Sequence, residues 1–258
     1  MRETFKKIYW LLCVQFGFDF RRLARSLRGL PRYTVDWFRF RMGYKGQLDF
    51  LPCLSDWYEE GGATKDEYFW QDLHVARKIH LANPEKHVDI GSRVDGFVAH
   101  VASFREIEIF DIRPITSLIP WVIFKQVDMM NPADSLAECC DSLSCLHALE
   151  HFGLGRYGDP IDPHGYVLGL ANMATMLRPG GLFYLSVPIG KERVEFNAHR
   201  IFNPDSLVRL AAANGLLLRD FAWVGSSRTL IQSSNPEKDM DELGKLRYAL
   251  GIFTFVKQ

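Results

Sequence analysis

"HVDIGSRVDGFVAH", residues 87–100, decides how the rest of the chain is read. Val88, Asp89 and Ile90 have the character of a buried strand end, and Gly91 turns the chain as a strand does before a cofactor loop. Glycine is wanted where φ is positive or where backbone must approach a ligand closely. Such a loop ordinarily carries more glycines. Here Arg93 and Asp95 occupy those places, and Gly96 comes one step later.

Downstream the pattern alternates. Strands are expected at 87–90, 106–110, 125–127, 141–146 and 182–188. Helices are expected at 165–177, closed by Arg178-Pro179-Gly180-Gly181, and at 205–213, started by Asn203-Pro204. Two final strands fit 216–224 and 248–257. Upstream, Thr64 and Glu67 have capping-box spacing, which predicts a helix from Lys65 over 65–81 that ends at Asn83-Pro84. Alternation of this kind gives an α/β fold with a mostly parallel sheet covered by helices, and ligands bind beyond the carboxyl ends of its strands.

Three acids fall at those ends: Asp89, Asp111 and Asp128. Asp111 lies 22 residues after Asp89. A carboxylate at that distance from a glycine turn suits a ribose, because it accepts hydrogen bonds from two adjacent hydroxyls. The ordered series reads as a nucleoside-binding edge.

Of the 258 residues, 47% are hydrophobic and 24% charged, a globular balance with enough chain to bury a large core. Net charge is zero but uneven: residues 1–45 hold eleven Lys/Arg against three acids. A basic, aromatic arm of this kind reads first as a solvated basic face that packs by its apolar side, and it also suits an anionic membrane surface, a nucleic acid or an acidic partner. The neutral whole chain argues against nucleic acid as the main substrate. The apolar run 8–18 is shorter than the roughly 20 residues of a bilayer span. No small-x-small cleavage site follows it, so 5–27 reads as an amphipathic helical region at an interface. Residues 28–62 carry turn signals. The domain reading is a basic N-terminal extension, 1–62, and an α/β domain, 63–258. Five cysteines without a Cys-x-x-Cys pair indicate reduced thiols and a cytoplasmic protein, and the basic arm of residues 1–45 leaves peripheral membrane contact open.

Residues 88–96, "EIFDIRP" (108–114), "VDMMNP" (127–132), "DSLSCLHALEHFGLGRYGDP" (141–160) and "LRPGGLFYLSVP" (177–188) resemble the successive motifs of class I S-adenosylmethionine-dependent methyltransferases. "YFWQDLHVARKI" and "FNAHRIF" resemble a subgroup catalogued as a domain of unknown function and linked to surface-polysaccharide genes. The resemblance covers about 65–258. It implies a Rossmann-like, seven-stranded, mostly parallel sheet with helices on both faces and an antiparallel last strand. It also implies S-adenosylmethionine as cofactor. By position, Asp89, Gly91, Ser92, Arg93 and Gly96 belong to the cofactor loop. Asp111 and Ile112 would meet the ribose, Asp128 and Met129 the adenine, and Leu146 and His147 the floor.

For the acceptor, His151 and His199 are the candidate bases, since imidazole takes a proton at neutral pH. Glu150, Arg156, Asn197 and Arg200 are candidate substrate contacts, with Tyr157 and Asp159 weaker ones. The expected reaction is O-methylation of a small or glycan-related acceptor. Two alternatives compete. One is a non-catalytic binding module, motivated by Arg93 and Asp95. The other is a zinc hydrolase using His147-x-x-Glu150-His151, which needs one helix to bring both imidazoles to one face.

Overall fold

The structure, a computed structural model, describes residues 2–59, 61, 62, 64 and 66–258. The chain forms two compact units, Met1–Ala63 and Thr64–Gln258.

The first unit is helical. α1 spans Arg2–Phe16 and α2 spans Phe20–Gly43. Asp19 caps α2, accepting hydrogen bonds from the backbone N–H groups of Arg21 and Arg22. The turn signals at Gly29 and Pro31, in a segment the sequence left unassigned, do not break the helix. Gly29 is there for packing: a Cβ would lie 1.9 Å from the carbonyl oxygen of Leu54. No helix among the described residues is long and apolar enough to cross a membrane.

The second unit opens with α3, Glu67–Ala82. The expected start at Lys65 lies outside the described residues. The cap is Asp66, whose carboxylate accepts from Tyr68 N–H, and Thr64 does not serve in that role. Glu67 is thereby released from capping and turns to other partners. Asn83 ends the helix in the left-handed region, with φ 43°.

The sheet follows: β1 His87–Ile90, β2 Ile107–Asp111, β3 Val122–Gln126, β4 Cys140–Leu146 and β5 Leu177–Ile189. After a β6–β7 hairpin (Arg193–Glu195, His199–Ile201) come β8 Leu216–Val224, β9 Leu230–Gln232 and β10 Ala249–Lys257. Spatial order is β3-β2-β1-β4-β5-β10-β8-β9. The first five pair in parallel, and β10 inserts antiparallel between β5 and β8. This is the mostly parallel sheet with an antiparallel last strand that the resemblance implies, widened by the three-residue β9.

Two cores cover the faces. Val75 and Ile79 of α3 pack with Ile107, Ile109 and Ile252 on one side. On the other, Leu170 and Met173 of α4 (Gly165–Met176) and Leu207 of α5 (Pro204–Ala213) pack with Leu143, Phe183 and Phe253. Strand alternation sends successive residues to opposite cores, and the parallel direction of β1, β2, β3 and β4 puts the loops that follow them at one edge.

Candidate active site

A cavity of about 380 Å³ opens at that edge. Gly91, Arg93, Asp111, Ile112, Asp128, Met129, Leu146 and His147 line it, which brings together the ends of four parallel strands. Glu150, His151, Arg156, Tyr157, Asp159 and His199 line the same cavity.

The loop after β1 is built from behind. Asp89 is fully buried and does not reach the cavity. Its carboxylate accepts from Ser92 N–H at 3.0 Å, Ser92 Oγ at 2.7 Å and Ser144 Oγ at 2.5 Å. Ser92 Oγ in turn accepts from Leu146 N–H at 3.2 Å. Asp89 and Ser92 therefore tie the β1 loop to the end of β4. Burial pushes the Asp89 carboxyl up to about 6, against the opposing pull of those hydrogen bonds. Gly91 takes φ 68°, a conformation glycine adopts without strain. Gly96 does not line the cavity either: a Cβ there would lie 2.5 Å from Asp72 Oδ2, so its role is close packing on α3. Arg93 pairs with Asp95 at 3.1 Å and lies over the Tyr68 ring.

Asp111, at the end of β2, is held by a residue that sequence reading missed. Arg113 donates from Nε (3.1 Å) and Nη2 (2.8 Å) to its two oxygens, and Arg113 N–H adds a third bond at 2.8 Å. The Arg113 guanidinium also lies 4.2 Å above the Tyr157 ring, and Arg156 sits 5.0 Å from that ring. Arg156 donates to Ala198 O at 2.8 Å. Asp128 accepts from Met130 N–H at 2.9 Å, which shapes the turn after β3.

His147 has φ 54° and stands outside the short 3-10 turn Leu149–His151. Its Nδ1 is 2.8 Å from Glu150 Oε1. Its Nε2 lies 3.5 Å from Glu67 Oε1, an ion-pair distance without hydrogen-bond alignment. Burial alone would keep this imidazole neutral, but Glu150 and Glu67 outweigh it and raise its pKa to about 9. Glu150 is held below the usual carboxylate range: burial opposes this, and His147 overcomes it. Glu150 Oε2 is buried with no hydrogen-bond partner among the described residues. Glu67 also accepts from Tyr248 OH at 2.5 Å, so α3 and β10 both contribute to the wall. Burial lowers the pKa of His151 and of His199, leaving neutral imidazoles beside a protonated one.

Two expected substrate contacts are elsewhere. Arg200 is buried, and its guanidinium donates to the carbonyls of Glu150, Phe152, Asp162 and Pro163, pinning the loop after β4. Asn197 is exposed and does not line the cavity. The zinc reading also fails on geometry. No helix runs through 147–151, so the two imidazoles do not share a helical face. Among the described residues no group of three or more His, Cys, Asp or Glu is arranged to hold a metal.

The sequence profile described as "Caenorhabditis protein of unknown function, DUF268" matches residues 119–248, just over half of the chain. The chain belongs to the DUF268 family. That match runs from the start of β3 to the start of β10, and so includes the turn after β3, the 147–159 loop and the β6–β7 hairpin. A search of curated proteins finds no match to this DUF268 chain. Among solved structures it is similar to the Haemonchus contortus phosphoethanolamine N-methyltransferase 2 in complex with phosphomonomethylethanolamine and S-adenosylhomocysteine. Identity is 11%, covering 72% of this chain and 52% of that one, with a TM-score of 0.51. It is also similar to a Galdieria sulphuraria protein provisionally described as a sarcosine dimethylglycine methyltransferase, at 14% identity, 72% and 85% coverage and a TM-score of 0.50. These likenesses establish the class I methyltransferase fold for this DUF268 protein.

Proposed function

We propose that this protein is an S-adenosylmethionine-dependent methyltransferase that methylates a hydroxyl of a small or glycan-related acceptor. The observation that carries the reading is the convergence of Gly91, Asp111, Asp128 and Leu146 from four successive strands on one cavity. The donors present fit the cofactor. Asp111 offers two carboxylate oxygens to a ribose diol once Arg113 is displaced from them, Gly91 leaves its backbone open, and Met129 and Ile112 supply apolar wall for an adenine. The Haemonchus enzyme of the same fold carries S-adenosylhomocysteine.

When bound, S-adenosylmethionine supplies an electrophilic methyl group, which leaves sulfur as the acceptor oxygen bonds to it. The chain's residues align the acceptor and take its proton. Glu150 Oε2, buried and unpartnered, accepts a hydrogen bond from an acceptor hydroxyl. His151 or His199, neutral at pH 7, receives the departing proton. His147, charged and clamped between Glu67 and Glu150, fixes the wall.

Titration calorimetry with S-adenosylmethionine and S-adenosylhomocysteine tests the cofactor, with Asp111→Ala as control. Saturable binding that Asp111→Ala abolishes in a folded protein is the expected result. No binding at millimolar ligand refutes it and leaves the binding-module reading, which the occupancy of Asp111 by Arg113 favours. Turnover unchanged in both His151→Ala and His199→Ala removes the base assignment.

A further inference from the structure

α2 carries a feature that methyl transfer does not use. At 100° per residue, Phe20, Leu23, Leu27, Leu30, Val35, Phe38 and Met42 fall within an arc of about 140° along a helix about 36 Å long. Each of these side chains is between 42% and 73% exposed. The opposite side is covered in its middle, where Gly29 abuts Leu54, Tyr33 stacks edge-on with Phe50 and Arg32 lies over Trp57, while Phe40 near its end stays exposed. The first unit thus packs one side of its long helix and leaves an apolar stripe bare. Exposed Trp10, Val14, Phe16 and Phe18 extend the apolar surface around the α1–α2 junction.

The stripe has a charged border. Arg21, Arg25, Arg28, Arg32 and Arg39 fall within an arc of about 60° on one edge. α2 holds seven arginines and a single acid, Asp36. Asp36 pairs with Arg32 at 3.3 Å and lies 4.0 Å from Arg39, while Arg25 lies 3.9 Å from Glu59. These pairs are between two-fifths and three-quarters exposed, so they exchange easily for another anion. Stacking a second copy of this stripe on the first would bring arginine rows together with Asp36 as the only acid in α2 to offset them. An anionic lipid surface satisfies both halves: acyl chains take the apolar stripe, and phosphates meet the arginine row.

We propose that α2, with the α1–α2 junction, is an interfacial helix that seats this protein on anionic bilayers. The apolar stripe enters the headgroup boundary while Arg21, Arg25 and Arg39 contact lipid phosphates. The helix lies in the interface plane and does not span it.

The full chain is sedimented with phosphatidylcholine vesicles and with mixed phosphatidylcholine–phosphatidylglycerol vesicles. Selective binding to the mixed vesicles, weakened by added salt, is expected. Replacing Arg21, Arg25 and Arg39 together by Gln lowers the partition coefficient about 100-fold, since each basic residue near such a surface contributes about a factor of five. Leu27→Asp with Phe38→Asp removes binding while circular dichroism stays that of the parent. Failure of the parent to bind mixed vesicles, or equal binding by the Leu27→Asp, Phe38→Asp protein, overturns the proposal. A parent dimer that becomes monomeric in the Asp variant, with no vesicle binding, overturns it in favour of a second copy. If the Asp variant does not fold, the lipid and salt dependence of the parent decides: insensitivity to both refutes the arginine row.

Discussion

Arg113→Ala is expected to tighten cofactor binding. Asp111 is the carboxylate best placed for a ribose diol, and in this structure Arg113 fills both of its oxygens. A ligand must displace that guanidinium before its own hydroxyls can donate. Bidentate charge-assisted pairs are strong when buried. Here the Arg113 side chain is 50% exposed, so screening reduces the pair to about 1 kcal/mol. Its stacking on Tyr157 at 4.2 Å is also surface-exposed and adds about 0.5 kcal/mol. Removing both gives about 1 to 1.5 kcal/mol, or roughly 5- to 10-fold in Kd. The Arg113 N–H bond to Asp111 survives the substitution and keeps the carboxylate oriented. Calorimetry with S-adenosylhomocysteine on both proteins, at low and high salt, measures the difference, and the advantage of the variant should shrink as salt screens the parent's ion pair. An unchanged Kd in Arg113→Ala refutes the competition, and a weaker one makes Arg113 a ligand contact.

Two further outcomes follow from the same cavity. The His147 pKa, raised to about 9 in the fold, means its ion pairs with Glu150 and Glu67 stabilise the protein fully below about pH 6.5. That contribution is lost as pH rises through 9, and it amounts to roughly 3 kcal/mol. Lys78, lowered to about 8 by burial, moves stability the opposite way, so the measurement is the parent minus Glu150→Gln difference in urea unfolding between pH 6 and 9.5. A difference that does not change over that range contradicts the charged imidazole. Separately, Arg93→Gly should cost about 0.5 to 1 kcal/mol of stability through chain entropy and give no gain in cofactor affinity. Tighter binding in the same calorimetry would show that the loop does want a glycine there.

The strand ends were legible because two periodicities agree. Asp111 ends β2, and Asp89 and Asp128 lie within two residues of the ends of β1 and β3, while the helix at 165–176 with its Arg-Pro-Gly-Gly exit marks the crossover to β5. The features that sequence left hidden depend on contacts between distant segments. Arg113 looks like an ordinary basic residue beside a proline until Asp111 faces it. Glu67 looked like half of a capping box, but Asp66 caps α3 and frees Glu67 for His147 and Tyr248, which are 80 and 181 residues away in sequence. Arg200 sits in a polar hairpin and reads as a ligand contact, yet burial and four carbonyl partners make it a brace. In α2, Gly29 and Pro31 carry local turn signals that packing against Leu54 overrides.

A glycine is indispensable only where the backbone demands it. At Gly91 it does, with φ 68°. At Arg93 it does not: φ −66° and ψ 127° are open to any residue, and they lead straight into the π-turn Val94–Val98. Gly96 is required by Asp72 on α3, a packing partner and not a ligand. The sequence has therefore not lost glycines that the loop needs. It follows a path that needs Gly91 for the turn and Gly96 for packing and no glycine between them, and it spends the Arg93 side chain on closing the wall against Tyr68. A cavity with an intact turn at Gly91, with Asp111 in its wall and with extra side chains forming its lining matches the proposed cofactor site with an altered rim. Decay would instead leave a side chain filling the turn at Gly91, where only Ala148 Cβ lies close.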